Sequence, residues 1–170
     1  MGGKSERPQR KMLFNPNLAR DQNSKPIKQM AYMNQELKKQ RAPQIKKVLK
    51  KYGLKGTIGV RDYSTLYVTI KEGALDFIGA AQKINDEYAR RHFQKAHQIT
   101  DGYLQVNENR GDDYREYDKK VGDFIDEMNA AMKGVGYYNN DDAMIDYFDR
   151  AFYVRINVGT WQKPYVYTGA

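Results

Sequence analysis

The chain contains no cysteine and only two histidines. Without a thiol there is no disulfide, no Cys-ligated zinc and no thiol nucleophile. His92 and His97 stand five residues apart, whereas one helical face needs a spacing of three or four. No HExxH pattern occurs, so a His-based metal or acid–base site is not expected. No stretch approaches the ~18 apolar residues of a membrane-spanning helix. The charged residues among the first ten are followed by no apolar run, so no secretory leader is expected. The glycine-rich phosphate loop, the dinucleotide fingerprint and the G-x-S-x-G elbow are all missing. Ser64 has no base near it in sequence, and in a turn its hydroxyl is expected to satisfy local backbone. These absences lead to the expectation of a protein that is not an enzyme, with no cofactor and no catalytic residue implied.

What is present suits one domain. The chain has 170 residues, of which 40% are hydrophobic and 14 are tyrosine. A core is affordable despite a mean hydropathy of −0.88, provided that buried tyrosine hydroxyls find partners. The formal charge is +8, but it is unevenly spread. Residues 1–60 carry 15 Lys/Arg against 3 Asp/Glu, whereas residues 101–150 carry 6 against 13. A strongly basic end points to a polyanionic partner, with a solvated basic face as the plainer alternative.

Residues 1–30 are polar and basic, with Pro8, Pro16 and Pro26, and read as a flexible or partner-bound arm that includes Arg7, Arg10 and Lys11. Residues 31–170 read as a single α+β domain. Asn34 is a plausible N-cap and Gly53 a C-terminal stop for a helix with Leu37, Ile45, Val48, Leu49 and Tyr52 near a 3.6-residue period. Pro43 inside it implies either two short helices or one kinked helix. The opposite face carries Lys38, Lys39, Lys46, Lys47, Lys50 and Lys51. Alternation at Thr57–Arg61 and Leu66–Ile70 reads as a hairpin turning through Asp62–Thr65. Ile58, Val60, Leu66, Val68 and Ile70 then share the buried face, while Gly59, Arg61, Tyr67 and Thr69 point outward. A helix is expected from Asp76 to about Ala96, irregular chain from Thr100 to Asp113 with a short extended piece at Tyr103–Val106, and a helix over Tyr117–Lys133. A turn or short helix over Asn139–Tyr147 follows, then a strand over Ala151–Val158 and a short final one within Lys163–Thr168. The economical packing is a small antiparallel sheet, made of the hairpin and the C-terminal strand, with about three helices on one face.

Two segments are familiar. One is Val60-Arg61-Asp62-Tyr63-Ser64-Thr65-Leu66-Tyr67-Val68-Thr69-Ile70. The other runs from Asn139-Asn140-Asp141-Asp142 through Asp146-Tyr147-Phe148-Asp149 into Phe152-Tyr153-Val154-Arg155-Ile156-Asn157-Val158-Gly159. Together they resemble a group of bacteriophage and prophage proteins of unassigned activity, similar to the large polyvalent protein-associated domains of phages and mobile elements. The resemblance spans roughly residues 30–73 and 136–167. It carries no catalytic residue. It implies a phage gene product in a bacterial host cytoplasm or a virion, and a host-defence inhibitor is one role it allows.

Two residue sets are candidates for contact. The six lysines above, with Arg61, Arg7, Arg10 and Lys11, form a polyanion-binding set, and outward tyrosines beside them can stack bases while cations neutralise phosphates. Asp141, Asp142, Asp146 and Asp149 form an acidic set. It is a candidate partner face, a helix-capping group, or a carboxylate site for a hard divalent cation, although it lacks the alternation of an EF-hand loop. The leading expectation is a non-enzymatic phage accessory protein that binds nucleic acid or a host nucleic-acid-handling complex, with no membrane and no small-molecule substrate. The alternatives are a virion component whose arm docks on neighbouring subunits, and a metal-dependent enzyme built on the Asp141–Asp149 cluster.

Overall fold

A computed structural model describes residues 31–169 of the chain. The expected arm, with Arg7, Arg10 and Lys11, lies outside the described residues. The first helix, α1 (Gln35–Lys51), starts where Asn34 accepts a hydrogen bond from the Leu37 amide at 2.8 Å. It runs unbroken past Pro43, so the two-helix alternative does not hold. Pro43 is exposed, so its ring projects into solvent on the side away from buried Ile45 and Leu49.

Strands β1 (Lys55–Arg61) and β2 (Thr65–Gly73) form the expected antiparallel hairpin, with Ile58 opposite Val68 and Val60 opposite Leu66. Asp62 and Tyr63 both take positive φ, 52° and 49°, and the Ser64 amide donates to the Arg61 carbonyl at 3.1 Å. This is the type I′ geometry whose twist matches that of paired strands. Helix α2 (Phe77–Arg91) ends five residues earlier than the periodicity suggests. Phe93 turns to a φ of 53° and Gln94 donates to the Ala89 carbonyl, which closes the helix end. Strand β3 (Leu104–Val106) falls where the short extended piece is expected. The short helix α3 (Gly111–Arg115) occupies chain expected to be irregular. Helix α4 (Lys119–Lys133) begins at Asp118, whose carboxylate accepts from the Lys120 and Val121 amides. Strands β4 (Tyr153–Val158) and β5 (Val166–Tyr167) complete the fold.

The α+β class stands, but the sheet is mixed and not purely antiparallel. Its order is β1-β2-β4-β3, with β5 also paired to β2. β4 lies parallel to β2, placing Leu66 beside Val154 and Val68 beside Ile156. Parallel neighbours need a long crossover, and the chain from residue 74 to residue 152 supplies it with α2, α3 and α4. The helices of that crossover cover one face. Ile45 and Leu49 of α1, Phe77 and Ala81 of α2, and Phe124, Ile125 and Met128 of α4 meet Leu66, Val68, Ile70, Val154, Ile156 and Val158 in one core. Phe124 is central, with edge-on contacts to Tyr52 and Phe77 at 5.4 Å each.

α1 and α4 are also tied at their surface. Lys51 donates to both carboxylate oxygens of Glu127, at 2.6 and 2.8 Å, and the Tyr52 hydroxyl donates to one of them at 2.9 Å. Lys51 thereby holds the Glu127 carboxyl below the usual range, while burial, reinforced by the bond to Glu127, pushes the Tyr52 hydroxyl up to about 12.

Two outcomes follow from this packing. Phe124→Ala should cost about 3–5 kcal/mol of stability, read by chemical denaturation, because it opens a cavity at the fully buried centre of the core. A lowered carboxyl pKa stabilises the fold above the ordinary glutamate value of about 4.3 and loses that contribution as pH falls through the lowered value. Glu127→Gln should therefore melt below the parent at neutral pH and converge on it in acid. The difference should be no more than ~1 kcal/mol, since the pair is partly exposed.

Candidate nucleic-acid interface

Side chains alternate across strands, so the inward residues of the sheet define the outward ones. β1 turns out Thr57, Gly59 and Arg61, and β2 turns out Thr65, Tyr67, Thr69 and Lys71. β4 adds Tyr153, Arg155 and Asn157, and β3 adds Gln105. α1, α2 and α4 all send their apolar stripes into the core on the other side, so among the described residues this face has no helical layer. Its strand positions on β1 to β4 carry the cations Arg61, Lys71 and Arg155 and no carboxylate.

Two aromatic rings sit on it. A Cβ at Gly59 would lie 2.2 Å from the Tyr67 ring. The glycine therefore lets that ring lie flat across β1, with the Arg61 guanidinium 5.7 Å from its centroid. On β4, the Arg150 guanidinium stands 4.5 Å from the centroid of Tyr153, which is 36% exposed. Arg150 is itself held by an ion pair with Asp141. Thr65 and Thr69, too short to emerge between their longer neighbours, are buried. In the sheet, Tyr67 pairs laterally with Arg155 and Thr65 with Tyr153.

The lysines of α1 divide between its two flanks. Lys51, bound to Glu127, shares the groove toward α4 with Arg41, Gln44, Lys47 and Val48. Lys39, Lys46 and Lys50 are exposed on a stripe about a third of a turn from the buried residues, on the flank opposite that groove. Lys39 borders Val60, Asp62 and Tyr63 at the hairpin end. The stripe thus runs along the β1 edge of the sheet, while Lys38 is only half-exposed.

The acidic set does not form one helical face. Asn139–Arg150 and Asp142–Tyr147 are antiparallel bridges, so residues 139–150 make a hairpin with a single tight turn at Ala143–Ile145. Asp142 caps that turn by accepting from the Met144 amide at 3.0 Å, and Asp146 takes a left-handed φ of 52°. Asp141 is bound to Arg150 and also accepts from the Asp149 amide at 2.8 Å. Asp149 accepts from the Asn140 side chain at 3.2 Å. Asp141, Asp142 and Asp149 thus have structural roles within the hairpin, and among the described residues no group of three or more His, Asp or Glu is placed to hold a metal ion. The two histidines are likewise engaged apart. The His92 ring stacks on Tyr88, and the His97 carbonyl accepts from Gln82 and Asn85.

Sequence reasoning placed Arg61 and Tyr67 outward but did not single out Tyr153, Arg155 or Arg150. The signal for Tyr153 and Arg155 is the alternation over Ala151–Val158, which acquires meaning only once β4 is known to lie beside β2; Arg150 precedes it and carries no such signal.

Gly59→Ala tests the seating of Tyr67. The new methyl meets only the far end of that side chain, so the ring should lift while stability changes by less than ~1 kcal/mol. Loss of contacts between the Tyr67 ring and β1 in an NMR spectrum, with a nearly unchanged melting temperature, is the expected result. No protein-family model matches this chain, and no curated protein or solved structure matches it.

Proposed function

We propose that this chain is a nucleic-acid-binding protein that works by contact, not by catalysis. The observation that carries the reading is the helix-free sheet face, where Arg61, Lys71 and Arg155 surround two tyrosines without an intervening strand carboxylate, flanked by the Lys39, Lys46 and Lys50 stripe. Cations set among aromatics are the combination that neutralises phosphate and receives bases. The resemblance to phage proteins supplies the setting: a phage accessory protein acting in the host cytoplasm on nucleic acid or on the complex that handles it. A virion role through residues 1–30 remains the competing assignment, and deletion of those residues separates the two. An assembly factor would lose incorporation, whereas the binding protein would keep its sheet-face affinity.

A second contact surface is favoured by one observation. The 139–150 hairpin exposes Met144, Ile145 and Phe148 beside Asp142 and Asp146. Apolar side chains held out on an acidic hairpin suit a protein of the host or phage complex.

The direct test is a mobility-shift titration with single- and double-stranded oligonucleotides at two salt concentrations. Affinity should fall steeply with salt as counterions are released. Lys46→Glu with Lys50→Glu should weaken binding and flatten that salt dependence. Absence of binding to either probe at low salt would remove the proposal.

A further inference from the structure

Resting on the nucleic-acid reading, we infer that the sheet face is a stacking platform for an unpaired strand, with Tyr67 and Tyr153 each receiving one base. The geometry is specific to a single strand for a simple reason. In a duplex the base faces are closed by their neighbours, and only an unpaired strand can turn them onto a protein ring. Both rings are prepared for this. The missing side chain at Gly59 leaves room for the Tyr67 ring to rest on β1, and the Arg61 guanidinium stands over that ring, so an incoming base takes the place of the guanidinium or stacks beside it. Tyr153 is steadied by Arg150, whose own charge is answered by Asp141, so the guanidinium acts as a brace.

The two rings stand at a useful separation. Tyr153 lies beside Thr65, two residues before Tyr67 on the adjacent parallel strand. A lateral step of one strand and an axial step of two residues separate the two Cα atoms by roughly 8 Å. The Tyr67 ring leans over β1, away from Tyr153, so the rings are farther apart than the Cα atoms, and two bases of one extended strand can occupy them without stacking on each other. Arg155 lies directly beside Tyr67, and Arg61 lies on its other side, so each is placed for a phosphate flanking the first base. Asn157 and Gln105, paired across β4 and β3, continue the path with amide groups that can meet base edges. Asn157 is half-exposed and Gln105 exposed.

The experiment compares the full chain with Tyr67→Ala, Tyr153→Ala, Tyr153→Phe and Arg155→Gln, using fluorescence anisotropy. The probes are a mixed-sequence single strand of roughly 16 nucleotides, as DNA and as RNA, and the matching duplex. The single strand should bind at least about tenfold tighter than the duplex. Each alanine change should weaken single-strand binding by about tenfold or more without altering the salt slope, because stacking releases no counterions. Tyr153→Phe should retain affinity, since it keeps the ring, and this variant remains informative if an alanine variant misfolds. Arg155→Gln should reduce the salt slope. Equal or tighter binding of the duplex, or alanine variants that fold and bind like the parent, would overturn the platform while leaving nucleic-acid binding intact. Failure of both probes at low salt would overturn the two readings together.

Discussion

Strand β2 is the element on which the rest of the molecule depends. It is hydrogen-bonded along one side to β1 and along the other to β4, with β5 taking over at its end. Its alternate residues Leu66, Val68 and Ile70 are fully buried under the helices. β2 is thus paired on both sides over Thr65–Ile70, and the helices of the described residues settle on one face of the sheet. The crossover from β2 to β4 carries α2, α3 and α4 to that single side. Among the described residues the bareness of the opposite face is thus a result of connectivity, and its threonines, tyrosines and arginines are side chains that can meet water.

Periodicity placed much of this architecture, and its failures have physical causes. The hairpin, its turn and its two faces follow from alternation at residues 57–70, because a two-residue period flips faces with any register error. α1 and α4 follow from their apolar spacing and from the capping residues Asn34 and Asp118. The direction of β4 was not legible, since parallel and antiparallel neighbours bury the same alternate residues and strand pairing is a long-range choice. The turn and a capping aspartate at residues 139–147 were legible, but the pairing that makes this segment a hairpin was not, for a related reason. Aspartates at helical spacing are equally at home capping a tight turn, and the bridges that decide between the two involve residues up to eleven positions apart, from Asn139 to Arg150. The candidate site was therefore half visible: Arg61 and Tyr67 on the hairpin, without their neighbours on β4.

The charge distribution also changes meaning in three dimensions. Much of the acidic segment is consumed locally. Arg115 pairs with Asp112, Asp123 and Asp126, Lys119 also reaches Asp123, and Arg110 reaches Asp113. The bonds from Arg115 to Asp123 and Asp126 join α3 to α4, and the others are local to one helix or its cap. Exposed pairs of this kind add little stability, but they keep carboxylates out of reach of the lysine stripe. The positive field along the β1 edge is consequently less diluted than the overall charge suggests.

The placement of β4 has a consequence in time. β1 and β2 are neighbours in sequence and joined by a turn that favours their pairing, so this hairpin can form as soon as it is made. Its inner edge, with Leu66, Val68 and Ile70, then has no partner until the residues after 152 arrive. Pairings between distant segments are slow to form, and an unpaired apolar strand edge is open to other chains meanwhile. The same strand that secures the finished fold is thus a vulnerable point during synthesis, and among the described residues α1, already made and packed beside β1, is the element available to shelter it.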